Sequence, residues 1–69
     1  MKVWIVWEGD AFEDERIDRV FSSEHSARMR AAEIVEEHGL LRRKEYSDEI
    51  YYDLVGGGWV SVKAQQVHP

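Results

Sequence analysis

The stretch EGDAFEDERID, residues 8 to 18, carries six carboxylates in eleven positions: Glu8, Asp10, Glu13, Asp14, Glu15 and Asp18. Side chains of this type at this density can hold a cation, share a proton in acid–base catalysis, or present a negative surface. A calcium loop needs the order D-x-[DN]-x-[DN]-G and a glutamate at its twelfth position. The stretch has neither, so metal binding is not expected. Histidine does not rescue it: His25 and His38 lie thirteen positions apart on one helical segment, which turns them to opposite sides at about 100° per residue. Paired carboxylates that catalyse need a pocket that separates their pKa values, whereas acids crowded into a turn are solvated and ionise together.

The other candidates for chemistry are equally weak. Ser22, Ser23 and Ser26 surround His25, but side chains one or two apart on a helix do not face each other, and a helix cap accounts for the first two. Gly56 to Gly58 lack the Lys and Ser or Thr that open a helix after a phosphate loop, and Trp59 follows instead. Arg42, Arg43 and Lys44 form a short basic knot whose default partners are Glu45 and Glu37. No enzyme activity, cofactor or metal is therefore expected.

Bulk composition narrows the setting. Sixty-nine residues make one small domain, residues 1 to 69. Such a chain buries only about 60% of the surface that it exposes when unfolded, so small domains lean on aromatic cores or on self-association. There is no cysteine, hence no disulfide staple or thiolate zinc site. The N-terminal MKVWIVWE has too short an apolar run for a signal peptide, and no segment reaches the roughly 20 apolar residues of a membrane span. A cytoplasmic setting within a host cell is expected. A formal net charge of −5 disfavours direct binding to nucleic acid or an anionic membrane. It allows competition with nucleic acid for a basic protein.

The elements that must position these residues read as follows. KVWIVW, residues 2 to 7, is a β-branched and aromatic strand with Val3, Ile5 and Trp7 on one face and Trp4 and Val6 on the other. RIDRVF, residues 16 to 21, pairs back on it across the acidic loop. Ser22 and Ser23 are natural N-caps, and residues 24 to 38 are helical, with Ala27, Ala31, Ile34, Val35 and His38 on one stripe. Gly39 suits a C-cap. Residues 40 to 48 read as a connector, 49 to 55 as a third strand, the glycine triplet as a turn, and 59 to 67 as a fourth strand.

The sum is an α+β fold: a small ββαββ domain, an antiparallel four-stranded sheet with one helix packed on one face. One helix leaves the other face of the sheet open. Parity assigns Trp4, Tyr51 and Trp59 to that open face, where clustered aromatics mark an interface, unless the connector folds over them or the register shifts by one.

Alternate residues of a strand are roughly 6.8 Å apart, against about 3.4 Å per charge along one DNA strand. A hairpin studded with carboxylates can therefore offer a basic groove a comparable charge density, extended by Glu33, Glu36 and Glu37 on the helix. The plainer role of the same charges is to keep the chain soluble and to blunt sheet edges. The segment IDRVFSSEHSA, residues 17 to 27, with KVWIVWEG before it and a closing hairpin after it, resembles a strand–Val-Phe-Ser-Ser–helix junction of small uncharacterised phage and prophage proteins. In size and acidity the chain is similar in class to anti-CRISPR inhibitors and other DNA-mimic proteins. That resemblance implies a non-catalytic inhibitor, present as monomer or homodimer, whose acidic surface occupies the nucleic-acid-binding site of a basic host complex. The alternative expectation is a homodimeric interaction module that uses the aromatic sheet face.

Overall fold

The computed structural model describes residues 1–10 and 15–68. The chain runs β1 (Lys2–Gly9), β2 (Arg16–Phe21), α1 (Glu24–His38), β3 (Leu40–Glu45), β4 (Glu49–Leu54) and β5 (Trp59–Gln66). All strands join one antiparallel sheet in the order β2-β1-β5-β4-β3. The α+β class and the single helix agree with the sequence reading, but the sheet has five strands rather than four.

The extra strand is β3, read above as part of a connector. LLRRKE shows no alternation of apolar and polar residues, and all six of its residues are exposed. It is held by the backbone ladder to β4 and by Arg42 Nε donating to Asp53 Oδ2 at 3.1 Å. Tyr46 N–H donates to the Glu49 carbonyl at 2.7 Å and closes the hairpin. A strand specified by pairing alone leaves no hydrophobic signature.

The helix forms where its caps dictate. Ser23 is extended (φ −130°, ψ 143°), and its hydroxyl accepts from Ser26 N–H at 3.1 Å. Ser23 is thus the N-cap that satisfies a free amide of the first turn. At the other end Gly39 adopts φ 89° and donates its N–H to the Val35 carbonyl at 2.7 Å. Gly56 and Gly57 also have positive φ, which lets β4 reverse tightly into β5.

Ala27, Ala31 and Ile34 are the buried residues of α1. They meet Val6, Leu54, Val60 and Val62, with Trp4, Phe21, Val35 and Tyr52 packed around the rim. His38, placed on the core stripe by the helical wheel, is exposed. This core is small: among the described residues the largest fully buried side chains are Val6, Val60 and Ser61, and no tryptophan or tyrosine is fully buried. Among the described residues no helix is long and apolar enough to cross a membrane.

Candidate interaction face

Directly paired residues in antiparallel strands point to the same side, so the register assigns each side chain to a face. Trp4 pairs with Phe21, and Val6 with Val62, all members of the helix-side core or its rim. Trp4 therefore lies under the helix and not on the open face, with Lys2 Nζ 5.9 Å from its ring centre. The reason is that β1 is apolar on both faces. Its parity was legible, but which side is covered was not.

The other set of β1 residues faces outward. Trp7 pairs with Ile17 on β2 and with Ser61 on β5, Ser61 pairs with Tyr51 on β4, and Tyr51 pairs with Lys44 on β3. One row thus crosses all five strands. The adjoining row runs Val20, Ile5, Lys63, Glu49. The row on the other side runs Gly9, Trp59, Asp53, Arg42.

Tyr51 and Trp59 stack with ring centroids 5.5 Å apart, and Lys44 Nζ sits 5.9 Å from the Tyr51 ring centre. Burial raises the Tyr51 phenol above its ordinary pKa, and the nearby Asp53 and Glu49 charges add to that shift. Gly9 is what makes room for the indole: a Cβ there would fall 2.6 Å from Trp59 Nε1. Ser61 is only 2% exposed although no helix covers it. Its neighbours on this face are Trp7, Tyr51, Trp59 and Lys63, and a small residue lets the large ones close over it. Ile17 and Val20, by contrast, are 49% and 54% exposed. Ile5, Trp7, Tyr51, Trp59, Ser61 and Lys63 line a single open trough.

The carboxylates are divided between surfaces. Glu8 lies on the helix side, paired with Arg16 at 3.1 Å. Asp18 sits at the bulge of β2, where the register to β1 shifts. Its Oδ2 and Oδ1 accept from Arg30 Nε at 2.7 Å and Nη2 at 3.0 Å. The Arg30 guanidinium holds the Asp18 carboxyl below its usual range, against the opposing effect of partial burial. Arg30 is raised in return. These two acids tie β2 to β1 and α1 and do not contribute to an unpaired negative face. Glu15 lines the open trough on the opposite side of the sheet, and Asp10 follows the last residue of β1. Glu33, Glu36 and Glu37 are exposed on the outer side of α1. Glu13 and Asp14 lie outside the described residues. Among the described residues, no group of three His, Asp or Glu side chains is arranged to hold a metal ion.

The open face therefore gathers Val3, Ile5, Trp7, Ile17 and Val20 on β1 and β2, where sequence parity had placed Trp4. Nothing in the composition of β1 could have singled these out. The bulge in β2 also breaks the simple alternation of RIDRVF, hiding Ile17 and Val20 as partners on one face. The chain matches no family model, no curated protein and no solved structure, so the arrangement of its own residues carries the functional argument.

Proposed function

We propose that the protein is a non-catalytic protein-interaction module whose docking surface is the open face of its sheet. The observation that carries this reading is the row Ile17–Trp7–Ser61–Tyr51, an apolar and aromatic band over which no element of the described residues is layered. Aromatics on a rigid sheet supply contact area at low entropic cost and dominate interface cores. Charges of both signs border the band: Arg42, Lys44 and Lys63 against Glu15, Glu49 and Asp53. That is the polar rim expected of a docking surface.

Position-specific crosslinking in living cells tests the reading. A photoreactive residue at Ile17 or Val20 should give discrete protein adducts, and one at Glu36 should not. Adducts from Glu36 alone, or none from the sheet face, would contradict it.

A second reading rests on Glu33, Glu36 and Glu37. They are exposed, form no ion pair among the described residues, and cluster toward the C-terminal end of α1, where the helix dipole is already negative. An inhibitor of anti-CRISPR type in a host cell, docking on a basic nucleic-acid-binding protein, would use this helix stripe. The ion-paired Glu8 and Asp18 would play no part.

A further inference from the structure

We infer that the partner seated on the open sheet face is a second copy of this chain, forming a two-fold face-to-face sandwich. The inference rests on the preceding reading of that face as the docking surface.

Charge is the first argument. The chain as a whole carries −5, so two copies repel each other in most orientations. The open face is the exception. Among the described residues the face carries Arg42, Lys44 and Lys63 against Glu15, Glu49 and Asp53, with Asp48 at its border, whereas Glu24, Glu33, Glu36 and Glu37 belong to α1. Two copies meeting here bring together described surfaces of nearly balanced charge and keep the acidic outer sides of their helices apart.

Symmetry is the second. The aliphatic side chains lie on β1 and β2, the stacked Tyr51 and Trp59 on β4 and β5, and the charged ones on β5, β4 and β3, with Glu15 just before β2. A two-fold axis running across the strands, in the plane between the sheets, superposes like on like. Val3, Ile5, Trp7, Ile17 and Val20 of one copy then meet the same set in the other, while β4 and β3 lie opposite their own copies with like charges facing, so the aliphatic half of the face carries the contact. This is the aligned packing of two sheets about 10 Å apart.

Area is the third. Five strands about 4.8 Å apart and about seven residues long give a face of roughly 500 Å². Two such faces bury on the order of 1,000 Å² or more, which reaches the size of a specific interface. The small core noted above gains most from such an added layer.

The edges of the sheet do not compete for this role. β3 is bulged between Leu40 and Arg42, and β2 between Ile17 and Arg19. A self-paired β3 would set Arg42, Arg43 and Lys44 against their own copies. Bulges and like charges are the usual guards against edge pairing.

Sedimentation equilibrium on the purified full chain tests the inference, with far-UV circular dichroism confirming folding. The wild type should sediment as a dimer at micromolar concentration. The exposed-site variants Ile17→Lys and Val20→Lys should remain folded and raise the dissociation constant at least tenfold, while Glu36→Lys leaves it unchanged. A wild type that stays monomeric to millimolar concentration overturns the second copy as occupant. If the sheet-face crosslinks of the preceding section persist in that case, the docking surface itself stands. A dimer unaffected by both lysine variants overturns the face as its interface.

Discussion

Trp59 stacks on Tyr51 across two adjacent strands, with 5.5 Å between ring centroids and 18° between planes. The two are diagonal neighbours on the open face, since Tyr51 pairs with Ser61 and Trp59 with Asp53. Such a pair contributes about 0.5–1.5 kcal/mol beyond its burial and fixes both rings before any partner arrives. Pre-ordered rings lose little entropy on docking, which suits an interface better than a core.

Gly9→Ala is expected to break this arrangement. Its Cβ would press on the Trp59 indole at 2.6 to 2.8 Å, and the body of the ring, not a flexible end, would have to move. The variant should lose near-ultraviolet dichroism from the stacked pair and about 1–3 kcal/mol of stability, as overpacked sites do. An unchanged spectrum would show that the indole has room to spare.

Asp18→Asn should cost about 1–2 kcal/mol at neutral pH, because it removes a charge-assisted two-pronged contact to Arg30. The folded-state pKa of Asp18 lies below its ordinary 3.8. Its contribution is therefore fully present above that ordinary value and is lost as pH falls through the lowered one. Urea unfolding of the two proteins should differ at pH 7 and converge in strong acid. A gap that persists at low pH would place the effect in packing instead of charge.

Ser23→Ala removes the hydroxyl that accepts from Ser26 N–H and should lower thermal stability by about 1 kcal/mol. Association should be unaffected once the chain is folded, because the cap lies off the open face. Concentration-dependent weakening of the dimer in this variant would tie the helix to the interface.

The double variant Glu36→Lys, Glu37→Lys separates the two functional readings. Cations near the C-terminal end of α1 complement the helix dipole, so stability should rise by up to about 1 kcal/mol. The sheet-face reading expects self-association to survive, with a dissociation constant that changes little between low and high salt. A strong loss of partner binding in this variant, or steep weakening with added salt, would favour the acidic stripe.

Much of this fold was legible because its elements announce themselves locally. The period-two patterns of EIYYDL and WVSVKAQQ placed Tyr51 and Trp59 on the open face, and Ser23 and Gly39 bounded the helix. What stayed hidden is what depends on neighbours. β3 is made by pairing to β4 without any hydrophobic pattern of its own. The two faces of β1 are equally apolar, so only the position of α1 decides that Trp4 is covered and Trp7 is not. The acidic stretch looked continuous in sequence, yet strand alternation and the β2 bulge send Glu8 and Asp18 to Arg16 and Arg30 on the helix side and Glu15 to the other. A run of like residues along a chain is not a patch until the register is known.

Backbone and indole N–H resonances followed through a dilution series of the labelled protein test the central claim most directly. The account predicts concentration-dependent shifts at Ile5, Trp7, Ser61 and the Trp59 indole, with Glu33, Glu36 and Glu37 unmoved. Shifts concentrated on the outer side of α1, with the sheet face silent, would contradict it.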